Sequence, residues 1–374
     1  IDLRQDHCHI IVGTQDPGAV AATAAVITGL PPERITIEIP YLGGGFGRRL
    51  ATDYVAEALH IAKAIAKPIK LQHLREDDLA AGFFRPACAS RIQASLDSRG
   101  TIHSWWQRIA APSIYAMAVP NWPGGVDEAA VEGVASLPYQ TGSLHVEWSR
   151  FDWPVPVWWW RSVGASHNVF MVESFIDELA HKAQADPLAF RLGLLGHDPI
   201  AQGVLRMAAD KAGYGAVPSG KGRGMGMAYA HSFGSHCAQV VEASIDEGSG
   251  AIHVHRVVVA LDCGPVVNPG IISAQVEGGV IMGLSAALKE QVRFADGAVA
   301  STNFHQYDIL RMDEAPSIEV HLVGAQKAIG GVGEPGVPPA APALANAIYA
   351  ATGARLRSLP MHPQAVRAAL AERD

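Results

Sequence analysis

The chain has 374 residues, of which 49% are hydrophobic and 17% are charged, and its formal net charge is −7. This length predicts two domains, and this composition predicts a large buried core and excludes intrinsic disorder. An acidic balance disfavours nucleic acid and anionic membrane surfaces as partners, because both require a basic face. We also expect no direct membrane span, since no apolar run is judged long enough to cross a bilayer.

The first predicted elements are a helix, a strand and a second helix, separated by a glycine-rich loop. Residues 15–31 predict a helix with Asp16 as its cap and a proline at its first position. The alternation over 34–39 predicts a strand, and a helix is expected over about 52–67. Between them lies a loop that contains Gly44, Gly45, Phe46 and Gly47. A glycine loop between a strand and a helix exposes backbone N–H groups to an anion or oxo ligand, although it lacks the dinucleotide-binding spacing.

The middle of the chain carries a run of three tryptophans followed by an arginine. Strand-like alternation is present over 71–74 and again over 89–106. A long loop is expected over 116–136, and an amphipathic helix is expected over 168–185. The run is Trp158, Trp159, Trp160 and Arg161. Tryptophans beside an arginine can form the wall of an aromatic-binding pocket, and the edge of a core strand is the alternative interpretation.

The last part of the chain alternates strongly and predicts a sheet covered by helices. A hairpin is expected from 238–245 and 251–261, and a long helix over 272–288. A strand is expected over 318–323, and a helix-forming run covers 339–352. Residues 197–226, which precede these elements, are expected to mix helix and glycine linker, and we place a domain boundary near Lys221. The sequence therefore predicts a mixed α/β (α+β) chain with domains at residues 1–220 and 221–374.

The segment from Gly331 to Gly336 places one carboxylate, Glu334, between glycines and directly before a proline. Glycines let a backbone approach a ligand closely, and the proline fixes the direction of the chain. A carboxylate held in this way could act as a general base. A turn with a solvated glutamate is the alternative.

Four cysteines are present, and none has Cys-x-x-Cys spacing: Cys8, Cys88, Cys237 and Cys263. That pattern excludes a local iron–sulfur or zinc-ribbon motif and does not require disulfides.

Together, the glycine loop, the Trp-Arg-Ser-Val-Gly segment and the Glu334 segment resemble the large molybdenum-binding subunit of the xanthine dehydrogenase and aldehyde oxidase family. The isoquinoline 1-oxidoreductase branch, with its related bacterial aldehyde dehydrogenases, is the most similar. Further matching segments lie at 262–269, 274–284 and 303–312. The resemblance covers nearly the whole chain and implies a two-domain molybdenum cofactor-binding fold.

The resemblance also implies roles for individual residues. Glu334 would be the general base, and no side chain would bind the metal, which a pterin dithiolene holds. The residues expected to face an oxo ligand or the cofactor are Gln15, Gly44, Gly45, Phe46, Gly47, Arg161, Gln275, Gly331, Val332 and Gly333. The residues expected to form a substrate wall are Trp158, Trp159, Trp160, Phe46 and Phe170.

The implied reaction is hydroxylation with an oxygen atom from water, and the implied cofactor is molybdenum-molybdopterin in its cytosine dinucleotide form. Expected partners are a small subunit with [2Fe-2S] clusters, a cytochrome c, and an N-terminal portion of the large subunit that carries a further cofactor loop. A periplasmic location is expected by analogy, with the cytoplasm as the alternative. Purine-oxidising relatives carry a carboxylate where this chain has Arg48, Arg49 and Leu50. A purine is therefore disfavoured, while an aldehyde and an aromatic N-heterocycle both remain open.

Two other interpretations remain at this point. One is an inactive paralogue or a cofactor binder involved in maturation. The other is a non-catalytic subunit that acts as a scaffold for a partner.

Overall fold

The computed structural model describes residues 1–151, 153–215 and 222–373. The described residues form helices and four sheets, which confirms the predicted mixed α/β class. The predicted domain boundary near Lys221 lies outside the described residues. The division into domains 1–220 and 221–374 therefore stays a prediction.

The N-terminal unit is a three-stranded sheet with two helices. Its elements are β1 (Asp2–Leu3), β2 (Cys8–Ile11), α1 (Pro17–Thr28), β3 (Ile35–Glu38) and α2 (Asp53–Ile65). Strand β2 pairs antiparallel with β1 and parallel with β3. The Asp16 side chain accepts a hydrogen bond from the Ala19 N–H, as expected for a helix cap. The glycine loop connects β3 to α2, so the sheet fixes one end of it and the helix fixes the other.

A second three-stranded sheet follows, with three short helices around it. Its elements are α3 (Arg75–Ala81), β4 (Ala89–Leu96), β5 (Ile102–Ala111), α4 (Ile114–Ala118), α5 (Glu128–Val131) and β6 (Ser143–Arg150). The strand-like interpretation of 71–74 is wrong, because those residues form no strand. Leu74 is exposed and precedes α3, and its N–H donates to Asp77. The predicted loop over 116–136 contains α5, which becomes important at the site.

The remaining elements surround a four-stranded sheet in the order β12-β9-β8-β7. They are α6 (Ala165–Lys182), α7 (Pro187–Leu194), α8 (Pro199–Ala212), β7 (Arg223–Ser232), β8 (Ser235–Ile245), β9 (Ile252–Asp262), α9 (Pro269–Leu288), β10 (Phe294–Ala295), β11 (Ala298–Val299), β12 (Ser317–Leu322), α10 (Ala340–Thr352) and α11 (Pro363–Ala371). The predicted hairpin is β8 with β9, and the predicted strand near residue 318 is β12, so both predictions are confirmed.

Helix α10 packs directly on β7, and small residues make this close approach possible. A Cβ at Gly226 would lie 2.1 Å from the backbone nitrogen of Ala347, so any larger residue would separate the helix from the sheet. The sequence suggested a glycine linker that extends to residue 226. The structure corrects this, because from Arg223 onward these residues form a buried strand whose glycines accommodate a helix.

Buried charges connect α6 to its neighbours. Glu173 of α6 is 1% exposed and pairs with the fully buried Arg191 at 3.0 Å. The Tyr229 N–H of β7 also donates to Glu173, at 3.1 Å. Because removal of one partner of a buried pair leaves an uncompensated charge, this network fixes α6, and with it the turn that precedes α6.

Helix α9 is, among the described residues, the one helix long and apolar enough to cross a membrane by length and composition. The expectation that no apolar run reaches such a length is therefore wrong for 269–288. The helix packs closely against the chain that follows Glu334, since a Cβ at Gly279 would lie 3.1 Å from the Cα of Gly336. The apolar face of α9, where small residues such as Gly279 lie, packs against other segments of this chain. Helices in the core of a protein do the same.

Candidate functional site

The glycine loop is held against Gln15 and against the tryptophan segment. The Gly47 N–H donates to Gln15 Oε1 at 3.0 Å. A Cβ at Gly45 would lie 2.3 Å from the same oxygen, so Gln15 and the loop can approach only because a glycine is present. Phe46 has a φ of +49° and is 48% exposed. The loop therefore presents strained backbone and an exposed ring to the space in front of it, as sites that bind ligands often do.

Replacement of Gly47 by alanine is expected to destabilise the protein by about 2 kcal/mol or more. Gly47 has a φ of +93°, and its Cβ would lie 2.3 Å from the carbonyl oxygen of Trp159. Gly43 provides a matched control, because its Cβ would meet nothing within 4 Å. Thermal unfolding of the protein should show a lower midpoint for Gly47→Ala than for Gly43→Ala. Equal midpoints would contradict this account of the loop.

The turn between Arg161 and α6 has an unusual backbone that presents N–H groups to the site. Ser162 and Val163 have φ values of +71° and +43°, which are rare for residues with a side chain and rarer still for a β-branched one. The Val163 N–H donates to the Trp160 carbonyl at 2.7 Å and closes the turn, while the Ser162 N–H faces the site. The Ser162 N–H donates to Glu334 Oε1 at 2.9 Å, and the Ser162 hydroxyl donates to the Glu334 carbonyl at 2.7 Å.

Arg161 joins three segments of the site. Its Nε donates to the Gly333 carbonyl at 2.6 Å, and its Nη2 donates to the carbonyl and the side-chain oxygen of Gln275 at 3.0 and 3.1 Å. The guanidinium also lies 5.6 Å from the centre of the Phe46 ring. Burial lowers the pKa of Arg161, and the Glu334 carboxylate opposes that shift. Arg161 remains a cation, and it fixes the Glu334 segment to α9.

The glycines before Glu334 are held by the hairpin between β7 and β8. The Gly331 N–H donates to the Phe233 carbonyl at 2.7 Å, and the Ser235 hydroxyl donates to the Gly331 carbonyl at 2.7 Å. Val332 packs partly against the core, while Gly331 is exposed. The predicted residues Gln15, Gly44 to Gly47, Arg161, Gln275 and Gly331 to Glu334 thus form one connected site.

Two of the three tryptophans are in direct contact. The ring of Trp159 lies 4.9 Å from that of Trp158 in an edge-to-face arrangement and 6.3 Å from that of Tyr115. Trp158 also lies 4.8 Å from Phe83, and the guanidinium of Arg85 lies 4.4 Å from the centre of the Trp160 ring. The substrate wall expected from Trp158, Trp159 and Trp160 stays a prediction.

Phe170 is placed differently from the other predicted wall residues. It is 5% exposed and lies on α6 in the core that includes Ala228 and Cys237 of the large sheet. Its side chain supports the fold behind the site. The helical periodicity of α6 directs it inward, and this could have been noticed in the sequence.

Sequence reasoning missed Glu132 and Tyr115. Glu132 follows α5, and its Oε2 accepts a hydrogen bond from the Ala165 N–H at 3.4 Å. Burial raises the pKa of Glu132, and the charge of Glu334 raises it further. Both residues lie in or beside a segment interpreted as a long loop, where no periodic pattern signals a functional position.

Most donors around the site are backbone amides, together with one guanidinium and two exposed side-chain amides, Gln15 and Gln275. Space remains in front of the glycine loop, where a Cβ at Gly43 would meet no atom within 4 Å. Such a set suits an anionic organic cofactor with oxo, phosphate and heterocycle edges, and these residues fit a pterin of that kind. In the part of the chain that the structure describes, no group of three or more His, Cys, Asp or Glu side chains is arranged as metal ligands.

The fold and this donor set define a protein that binds a large anionic cofactor between segments far apart in sequence. Two family models, both of the molybdopterin cofactor-binding domain, match residues 1–193 and 176–316. The chain belongs to the molybdopterin cofactor-binding family of molybdenum-binding large subunits related to xanthine dehydrogenase and aldehyde oxidase.

Three curated relatives are similar over almost all of this chain. The beta subunit of isoquinoline 1-oxidoreductase from Brevundimonas diminuta is 36% identical over 94% of this chain and 46% of its own length. A nicotinate dehydrogenase subunit from Pseudomonas putida is 34% identical over 99% of this chain and 33% of its own length. A membrane-bound aldehyde dehydrogenase of Gluconacetobacter polyoxogenes is 31% identical over 95% of this chain and 49% of its own length. The chain therefore spans between a third and a half of these relatives, and the family predicted from the sequence is confirmed.

Solved structures share the fold at low sequence identity. Quinoline 2-oxidoreductase from Pseudomonas putida 86 superposes with a TM-score of 0.84 at 14% identity, over 98% of this chain and 72% of that one. Aldehyde oxidoreductase from Desulfovibrio gigas superposes with a TM-score of 0.77 at 14% sequence identity, over 94% of this chain and 56% of that one. These matches confirm the predicted fold of the family.

Proposed function

We propose that this chain is part of a molybdenum hydroxylase, which oxidises an aldehyde or an aromatic N-heterocycle with an oxygen atom from water. The observation that carries the proposal is the position of Glu334. Its Oε1 is held by the Ser162 N–H, and its backbone is fixed by Ser162 and, through Gly333, by Arg161. A carboxylate that is fixed in position and faces a cofactor site suits the role of general base.

When bound, the molybdenum-pterin group would supply an activated oxygen and accept the two electrons of the oxidation. Gln15, the glycine loop and Gln275 would hold that group through amides and side-chain oxygens. Within the Glu334 carboxylate, Oε1 accepts the Ser162 N–H, and among the described residues no group donates to Oε2. Oε2 is therefore the atom that would take a proton. Trp159 and Tyr115 would orient a flat substrate beside it.

The finer assignments follow from the resemblance and from the relatives. We assign the cytosine dinucleotide form of the cofactor, a small [2Fe-2S] subunit as the first electron acceptor, a cytochrome c after it, and the periplasm as the location. The chain covers only part of its relatives, so a further segment of the large subunit would complete the cofactor site. The names of two relatives as subunits support the presence of a further subunit.

Metal and pterin analysis of the complete purified enzyme tests the proposal, combined with turnover in the presence of a dye acceptor. We expect molybdenum and pterin near one per large subunit together with activity on an aldehyde or an N-heterocycle. A scaffold subunit would retain its partner without molybdenum, and an inactive paralogue would retain molybdenum without turnover. Either result would reject the proposed function.

The enzyme is expected to prefer isoquinoline or benzaldehyde to xanthine, with a specificity constant at least about tenfold higher. Arg48 is occupied by a bidentate pair with Asp53, and Arg49 donates to the Gly13 carbonyl, so neither replaces the carboxylate of purine-oxidising relatives. Each unpaired polar group of a buried purine costs about 1–3 kcal/mol.

The measurement is kcat/KM for xanthine, benzaldehyde and isoquinoline with one dye acceptor. Xanthine as the best of the three would contradict the prediction. Equal and very low values for all three would indicate an aliphatic aldehyde or an inactive paralogue.

A further inference from the structure

Arg85 is a cation that the proposed mechanism does not use, and it lies against the chain segment over 160–166. Its guanidinium lies over the Trp160 ring, 4.4 Å from the ring centre and within the range of a cation–π attraction. Its Nη2 donates to the Ser166 hydroxyl at 2.9 Å. Arg85 therefore contacts both ends of a segment that contains the positive-φ residues Ser162 and Val163.

Further hydrogen bonds close the turn between these two contacts. The Ser166 hydroxyl donates to the Val163 carbonyl at 2.6 Å, and the Val163 N–H donates to the Trp160 carbonyl at 2.7 Å. Within the turn, the Ser162 N–H donates to Glu334 Oε1 at 2.9 Å, and its hydroxyl donates to the Glu334 carbonyl at 2.7 Å. A continuous series of contacts therefore leads from the guanidinium to Glu334.

The surroundings of Arg85 leave these two contacts to hold its charge. Its Nε is buried, and in the part of the chain that the structure describes neither a carboxylate at ion-pair distance nor a partner for Nε is present. Glu290 acts on Arg85 from a longer distance, and it accepts the Tyr307 hydroxyl at 2.7 Å. Burial and the Arg85 charge lower the pKa of His167 to about 3, so this neighbour is neutral. A cation in such a place is costly and persists where it has a role.

We propose that Arg85 is a positioning residue for Glu334, because it braces the turn over 162–165 from both ends and thereby fixes the N–H group that orients the carboxylate. This inference rests on the proposed function of Glu334. Positive φ at Ser162 and at the β-branched Val163 is costly, so it persists only where neighbouring contacts hold it. Without the guanidinium, the turn should relax, and the Ser162 N–H should leave the place from which it holds Glu334.

The first test measures kcat and KM of the complete purified enzyme with a dye acceptor, with kcat normalised to molybdenum content. Arg85→Met removes the charge and the hydrogen bond, so kcat should fall about tenfold or more while KM changes by less than about twofold. Arg85→Lys restores the cation and should recover part of kcat. Arg108→Met is the matched control, because Arg108 also lies over a tryptophan ring but is exposed and pairs with Glu147 at 2.6 Å. Its kcat should equal that of the wild type.

A double-variant experiment separates positioning of the base from a general structural role. In a Glu334→Gln background the base is absent, so Arg85→Met should lower the residual kcat by less than about twofold. A purely structural Arg85 would lower kcat by the same factor in both backgrounds. That result, or a normal kcat for Arg85→Met alone, would overturn the proposal. If Arg85→Met does not fold, Ser166→Ala replaces it in both backgrounds, since it breaks the same hydrogen bond and leaves the cation in place.

Thermal unfolding of the protein gives a readout without turnover. Arg85→Met and Ser166→Ala each remove one side of the same contact, so their losses in midpoint should be less than additive in the double variant. Additive losses together with an inactive Glu334→Gln would reject only the present inference. A fully active Glu334→Gln with coupled midpoints would reject the proposed function, and the positioning role would fall with it, while the brace on the turn would remain.

Discussion

Replacement of Glu334 by glutamine is expected to lower turnover by about 10²-fold or more while molybdenum remains bound. The amide oxygen of glutamine can still accept the Ser162 N–H, and the backbone contacts of residue 334 with Ser162 do not involve the carboxylate. The substitution therefore removes the base and leaves the loop in place. The measurement is kcat with a dye acceptor, together with molybdenum content, on the full-length enzyme.

Two further variants sharpen this experiment. Glu334→Asp keeps a carboxylate but withdraws it by one methylene, so it should retain more activity than Glu334→Gln and less than the wild type. Glu33→Gln, at an exposed glutamate outside the site, should behave like the wild type. Near-normal turnover of Glu334→Gln at full metal occupancy would show that Glu334 is not the base.

Replacement of Arg161 by lysine is expected to reduce turnover by about 10²-fold and to reduce cofactor occupancy. The guanidinium makes three hydrogen bonds, to Gly333 and to both oxygens of Gln275, and a single ammonium cannot reproduce that fork. Each buried acceptor left without a donor costs about 1–3 kcal/mol. The loop that carries Glu334 would separate from α9, so the base would lose its position and the cofactor one of its walls.

The measurement is molybdenum per large subunit, followed by kcat normalised to the loaded fraction. Arg357→Lys is the matched control, because Arg357 makes a two-pronged pair with Glu178 on an exposed surface and its side chain is 67% exposed. We expect the control to differ little from the wild type. Full occupancy and normal kcat for Arg161→Lys would mean that the three hydrogen bonds do not position the site.

The sequence predicted the local elements well where a local signal exists. The cap at Asp16, the strand before the glycine loop and the β8–β9 hairpin depend on residues close in the chain, and all three are present. The short alternation at 71–74 failed, because four residues without a neighbouring strand do not determine an extended pairing. The strand from Arg223 was interpreted partly as a linker, since glycines that admit a helix look the same in sequence as glycines that form a turn.

The structure connects several residues that the sequence suggested for the site, and their roles stay predictions. Gln15, Phe46, Arg161, Gln275 and Glu334 are connected as their segments suggested. The contact of the Trp159 ring with Trp158 and Tyr115 and the presence of Glu132 depend on which face each segment turns inward. No local pattern reports that choice for a short extended run or an irregular loop.

By itself the sequence determined the family, the acidic balance, the positions of the main helices and strands, and the identity of the groups able to do chemistry. These properties follow from residue type, spacing and periodicity. Only the tertiary structure decided that α9 packs against the chain that follows Glu334 and that one turn holds two carboxylates. Those facts are contacts between residues 33 to 172 positions apart, and their free energy depends on packing and electrostatics that exist only after the segments have come together.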